Sequence, residues 1–244
     1  MRLLEIGCGW GALAAYLHAE WAWAFEAHQN NGSYTPSGVG SGRRALANMA
    51  LSMLCLNARE TLDEVWPGKA YQRFKDAANM TDRLGALTAL VHSGHHLAAP
   101  ALARFHSLFA GEALVIDKWF SLQASAPDRN GNVLGLVKGL MTHPDFHLKN
   151  PNRARSLIFA YCSANPGAFH RRDAAGYVFW AEQVLALDAI NPQVAARLAR
   201  ALDRWSKLTE PYRSAAREAI ARVAAKADLS NDVREVVSRA LTDM

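Results

Sequence analysis

From about residue 40 to its end, this chain repeats its apolar residues at spacings of three and four and almost nowhere in strict alternation. That spacing paints a stripe along an α-helix and leaves a β-strand without a coherent face. The chain reads as all-α. Gly42 to Asn57 carries Leu46, Met49, Ala50, Met53 and Leu54 on one stripe, and Asn79 offers an N-cap with Asp82 in the first turn ahead of Leu84, Leu87 and Val91. Pro100 stands as a first-turn proline before Leu102, Phe105 and Phe109, with Gly111 as a stop. Val115, Ile116, Trp119, Phe120 and Gln123 follow, and Asn132 then opens Val133, Leu134, Val137, Leu140 and Met141.

The second half is punctuated by Asn150-Pro151, Asn165-Pro166 and Asn191-Pro192, each joining a cap-forming residue to a proline that starts or breaks a helix. After Pro151 the stripe is Ala154, Leu157, Ile158, Tyr161; after Gly176 it is Tyr177, Ala181, Val184, Leu185; after Pro192 it is Val194, Leu198, Leu202, Trp205. Pro211 opens a helix with Tyr212, Ala216, Ile220 and Val223, and Ser230 caps a last one with Val233, Val237 and Leu241. Helices of roughly 10 to 18 residues on short turns predict an α-solenoid-like superhelix of stacked antiparallel helix pairs. Only Trp21 to Phe25 reads as a short strand. No strict period supports a named consensus repeat.

With 50% apolar and 20% charged residues, the 244-residue chain is expected to be globular rather than disordered. Glu5, Glu20, Glu26 and later charges interrupt every run that approaches the roughly 20 apolar residues of a membrane span. The same early acid argues against a secretory leader, so the expectation is a cytoplasmic protein without membrane contact. Cys8, Cys55 and Cys162 contain no CxxC pair and are read as buried thiols. The net charge is +5, and five basic residues with no acid lie between Lys149 and Arg172. Sparse aromatic interleaving makes that stretch a solvated face or an anion site, and no nucleic-acid partner is expected.

Two groups of residues invite chemistry. Leu3-Leu4-Glu5-Ile6-Gly7-Cys8-Gly9-Trp10-Gly11 resembles motif I of S-adenosylmethionine-dependent methyltransferases, of the cyclopropane-fatty-acid synthase type, which implies Glu5, Gly7, Gly9 and Gly11 as cofactor contacts. That fold needs several further βα units, and the helical remainder offers none. The expectation is no cofactor, with a methyltransferase-related protein as a rival reading. His92, His95 and His96, and the pair in His143-Pro-Asp-Phe-His147, invite a zinc site. A metallopeptidase helix needs H-E-x-x-H, whereas Pro144 obstructs that geometry and no Glu follows His143. No metal is expected.

A second resemblance spans about nine tenths of the chain. Asn31-Gly-Ser-Tyr34-Thr-Pro36, Gly42-Arg-Arg-Ala-Leu-Ala-Asn48, Ala78-Asn-Met-Thr-Asp82, Asp117-Lys-Trp-Phe-Ser-Leu-Gln123, Asn150-Pro-Asn-Arg-Ala-Arg-Ser-Leu157, Asn165-Pro-Gly-Ala-Phe-His170, Gly176-Tyr177 and Asn191-Pro-Gln-Val-Ala-Ala-Arg-Leu198 occur in this order. The chain is similar to the C-terminal helical domain of M1 zinc metallopeptidases of the bacterial aminopeptidase N type. The resemblance implies a division into residues 1–24, an N-terminal segment of uncertain origin that carries the methyltransferase-like string, and a helical domain over 25–244. It also implies a lid-like role, closing the active-site cavity over peptide substrates held by a catalytic domain. The zinc, its HExxH ligands and the catalytic tyrosine would belong to that partner, so the chain alone is expected to be inactive. The family directs two arginines at the substrate, carried over here to Arg155 and Arg197. A planar guanidinium can fork onto a peptide carboxylate or carbonyl as Lys cannot. Asp117 and Lys118 read as a structural polar contact beside Trp119. A third reading is a free-standing helical scaffold for peptides or proteins.

Overall fold

The computed structural model describes residues 11–29 and 34–242, and these fall into two compact units that meet in sequence at Gly111 and Glu112. Among the described residues there is no strand, and the architecture is all-α and solenoid-like. No described helix is long and apolar enough to cross a membrane.

The first unit holds a helical turn at 11–16 and five helices: α1 (His18–Ala27), α2 (Gly38–Thr61), α3 (Val65–Asp76), α4 (Met80–Ser93) and α5 (Ala98–Phe109). The strand read at Trp21 to Phe25 is in fact inside α1, whose Ala24 and Phe25 are buried. In that run Trp21, Trp23 and Phe25 alternate with alanines, which are the best helix formers, and packing on α2 favours the helix. The expected stripe of α2 is turned by about one position: the buried face is Ala47, Ala50, Leu51, Leu54, Cys55 and Ala58, while Met49 is exposed. Small residues on that face let α4 approach closely. A Cβ added at Gly85 would stand 2.3 Å from the Asn48 side chain. Asn79 caps α4 as expected, its Oδ1 accepting the Asp82 N–H at 2.9 Å, and Asp82 in turn pairs with Arg73 at 2.8 Å.

The second unit begins with α6 (Ala113–Ala124) and α7 (Val133–Leu140). Next comes α8 (Pro151–Ala154), which passes through one π-helical turn, Arg155–Phe159, before resuming as Ala160–Ala164. Then follow α9 (Pro166–Phe169), α10 (Ala175–Asp188), α11 (Pro192–Ala199), α12 (Tyr212–Ala224) and α13 (Asn231–Thr242). All three Asn-Pro pairs are helix starts in which the Asn side chain accepts a backbone N–H of the first turn. Helix α10 is buried nearly all round, through Tyr177, Phe179, Trp180, Ala181, Gln183, Val184 and Leu187, and packs against α11 and α12.

One expected helix is shorter than its pattern. The stripe from Val194 to Trp205 runs through α11 and then two 3-10 turns, Arg200–Leu202 and Trp205–Lys207. Leu202 and Trp205, one in each turn, remain buried. The Leu198 carbonyl accepts the Trp180 indole N–H at 3.0 Å, and the Trp205 indole donates to the Ala240 carbonyl at 2.8 Å. These side-chain anchors hold the chain in its tighter path.

Candidate functional site

Arg155 stands at the first residue of the π-helical turn. Such wide turns inside α-helices are frequent at functional sites, because they rotate side chains out of regular register. Asn150 fixes the start of this helix, its Oδ1 accepting the N–H groups of Asn152 at 3.0 Å and Arg153 at 3.5 Å. The Arg155 side chain is exposed and touches Asn152 Oδ1 at 3.3 Å. It lines an open cleft of about 440 Å³ with Leu114, Asp117, Lys118, Ser121, Asn152 and Ser156.

Beneath that cleft lies a polar knot built on Asp117. Arg153 is buried, and it donates through Nε to the Asp145 carbonyl at 2.8 Å and through Nη1 to the Ala113 carbonyl at 3.0 Å and to the Asp117 carboxylate. Ser156 Oγ lies 3.4 Å from the same carboxylate, and the guanidinium sits 5.4 Å from the centroid of the Phe120 ring. Asp117 is thus committed to Arg153 and not to Lys118. With that pair self-compensating, the cleft's remaining charges are the cations of Lys118 and Arg155. It can receive an anion or carboxylate.

Arg197 occupies a different cleft, of about 430 Å³, lined by Gln193, Ala196, Arg200, Asp232, Glu235 and Val236. Its helix is capped by Asn191, whose Oδ1 accepts the Val194 N–H at 3.2 Å, and the arginine side chain is exposed. Two cations face two anions there, without an ion pair within 4.0 Å for Arg197 among the described residues. The structure therefore presents both arginines to solvent without gathering them into one pocket.

The basic stretch from Lys149 to Arg172 is less of a patch than its sequence implies. Arg153 is buried and neutralised, and Arg171 is clipped to Asp173 at 2.7 Å, to Asp128 at 3.8 Å and to the Gly131 carbonyl at 2.9 Å. The Arg171 hydrogen bond, aided by the Ala175 N–H, brings the Asp173 carboxyl down to about 2. Lys149, Arg155 and Arg172 are exposed and make no ion pair within 4.0 Å among the described residues.

The other candidates resolve as follows. Glu5, Gly7 and Gly9 lie outside the described residues, and Gly11 is helical with open space at its Cβ position. His143 and His147 sit in consecutive turns, not on one helix, and His143 stacks against Trp119 and Phe120 at 5.2 and 5.8 Å. They do not reproduce the helical pair of a metallopeptidase. Cys55 and Cys162 are buried, and Cys8 is outside the described residues. Burial, with Asp63 nearby, pushes the Cys55 thiol up to about 12, and burial raises Cys162 as well, so both are inert.

Residues 11–242 match the family described as a domain of unknown function, DUF3458_C, of ARM repeats. The chain is 36% identical to aminopeptidase N of Caulobacter vibrioides over 232 residues, which is 95% of this chain and 25% of that protein. It is 36% identical to aminopeptidase N of Escherichia coli over 82% of this chain and 22% of the relative. Its fold is similar to the crystal structure of Legionella pneumophila aminopeptidase A in complex with aspartic acid, with a TM-score of 0.84 and 28% identity. That likeness covers 96% of this chain and 28% of the other. The chain spans about a quarter of the length of these proteins.

Proposed function

The chain belongs to the DUF3458_C family of ARM repeats, and from that premise we propose that it is the non-catalytic C-terminal helical domain of an M1 aminopeptidase. In this reading it acts in the cytoplasm and closes the active-site cavity, gating the entry of peptides whose N-terminal residue is to be removed. One observation carries the proposal. The likeness to aminopeptidase N takes in 95% of this chain and only 25% of the relative, so it is confined to a helical portion with no HExxH string of its own. Zinc and the hydrolytic groups belong, in this reading, to the catalytic partner.

Arg155 and Arg197 are then the groups offered to the peptide. The unpaired cations of the Arg155 cleft and the π-helical turn that presents Arg155 support this assignment. The test is reconstitution of the Caulobacter relative, deprived of its matching quarter, with this chain added in trans. Association and recovered turnover are expected, and failure of the two pieces to associate would sink the proposal. In the rebuilt enzyme, Arg155→Ala and Arg197→Ala should lower kcat/KM for a tripeptide by on the order of 1.5 to 3 kcal/mol, as for lost charge-assisted hydrogen bonds. Zinc content and turnover of a single amino-acid arylamide should be unchanged. Equal losses on both substrates, or none on either, would return these arginines to an ordinary solvated face.

A further inference from the structure

Two loops of the first unit meet at Glu64, His95 and His96. Glu64 follows the turn made by Leu62, which adopts φ 56° at the end of α2, and it immediately precedes α3. His95 and His96 follow Gly94, whose φ of 69° closes α4. The His95 side chain is 11% exposed, and its Nε2 lies 2.9 Å from Glu64 Oε2. His95 Nδ1 accepts the Leu97 N–H at 3.3 Å. The His96 ring lies against it, with centroids 4.1 Å apart and planes 38° apart. One donor atom from each of the three side chains lies within 4.8 Å of the other two.

We propose that Glu64, His95 and His96 form a binding site for a divalent transition metal of the Zn²⁺ type. The donor chemistry is two imidazoles and one carboxylate, which suits a borderline-soft ion and not a hard cation such as Mg²⁺. Zinc takes imidazole nitrogen at about 2.0–2.1 Å and carboxylate oxygen at about 2.0–2.2 Å, so tetrahedral donors stand about 3.3 Å apart. The Glu64–His95 separation already falls short of that distance by a few tenths of an ångström. Glu64 and His96 are exposed and can close the remainder, while His95 is the fixed point.

A simple Glu–His hydrogen bond accounts for Glu64 and His95 but leaves His96 without a role. With Nδ1 accepting from Leu97, His95 carries its proton on Nε2, facing Glu64. Binding through Nε2 moves that proton to Nδ1, and the Leu97 N–H, on a half-exposed residue, turns to water. Two hydrogen bonds, Leu97 N–H to Nδ1 and Nε2–H to Glu64, are exchanged for metal bonds, with water completing the coordination. The site would tie the α2–α3 loop to the α4–α5 loop, and it shares no residue with the arginine clefts. It reverses the sequence expectation that the chain holds no metal, and it is independent of the aminopeptidase reading.

The test uses the full 244-residue chain, stripped with a chelator and titrated with Zn²⁺. One saturable equivalent is expected, accompanied by a rise in Tm, since a ligand that binds only the folded state stabilises it. Glu64→Gln and His96→Gln should each weaken binding by at least about tenfold, the scale seen when even outer-shell partners are removed. Both positions are exposed, so melting in metal-free buffer should be unchanged and serves as the folding control. A chain that takes up no saturable equivalent overturns the proposal, as do variants that bind Zn²⁺ as tightly as the parent.

Discussion

Separating Arg153 from Asp117 should be among the most damaging single changes available in the second unit. Their side chains are 9% and 16% exposed, so neither charge is well hydrated once its partner is gone. Asp117→Ala leaves the guanidinium with only the carbonyls of Asp145 and Ala113, and Arg153→Met leaves the carboxylate with only the Ser156 hydroxyl at 3.4 Å. Breaking one side of a buried pair costs about 3–5 kcal/mol, and each single variant should fall near the lower end of that range. The double variant Asp117→Leu, Arg153→Met behaves differently. No charge is stranded in it, and the released carbonyls belong to exposed Ala113 and half-exposed Asp145, where water can replace the guanidinium. Its cost should be about 1 kcal/mol, well below the sum of the singles, giving a coupling of at least about 2 kcal/mol. Urea unfolding followed by far-UV circular dichroism measures this as midpoint shifts at constant m. Singles within about 0.5 kcal/mol of the parent, or losses additive within that margin, would refute the claim that this knot holds the Arg155 cleft together.

Two further outcomes follow from single side chains. Asn165→Ala should cost about 3 kcal/mol against about 1 for Asn191→Ala, because Asn165 is a cap that also donates to the carbonyls of Ala124 at 2.9 Å and Ala126 at 2.7 Å; equal losses in thermal or urea unfolding would refute the distinction. Burial lowers the titration of His170, whose Nδ1 lies 2.8 Å from the Tyr177 hydroxyl. The unfolded imidazole titrates near its ordinary value of about 6.5, so below that pH the unfolded chain binds more protons than the folded one. Stability should be lost as pH falls from about 6.5 toward the lowered folded value, and His170→Gln should flatten that slope; a parent Tm independent of pH across this window would contradict it.

The helices were legible because their signals are local. Asn79, Asn150, Asn165 and Asn191 each cap a helix through an N–H two or three residues downstream, and the buried stripes Ala154, Leu157, Ile158, Tyr161 and Val133, Leu134, Val137, Leu140 stand as their spacing requires. What the sequence hid was set by distant partners. The path after Ala199 depends on an indole eighteen positions before Leu198 and on a carbonyl thirty-five positions after Trp205. The one-position turn of α2 depends on how closely Gly85 lets Asn48 approach. Periodicity carries no information about either. The charged residues follow the same rule: Arg153 and Arg155 differ by two positions, yet one is locked to Asp117 across thirty-six residues and the other faces solvent. Glu64 meets His95 across thirty-one residues, a separation that no spacing rule signals.

This division between what was legible and what was not has a physical origin in the architecture. In stacked helical arrays each helix buries its apolar face mainly against its neighbours in the chain, so the pattern that makes a helix also names most of what it packs on. Here α1 packs on α2, α3 and α4 on one another and on α2, and α10 on α11 and α12, all within their own unit. A surface that serves a partner obeys no such rule. Arg155 and Arg197 are exposed and stand in separate clefts, as the proposed role at a partner's substrate would require. Arg155 alone is marked by departures from regularity, a π-helical turn that begins at it and two cations left over once the buried acid has been claimed, whereas Arg197 stands on a regular helix in a cleft of balanced charge. Function in a helical array of this kind is therefore to be sought where the repeat grammar fails.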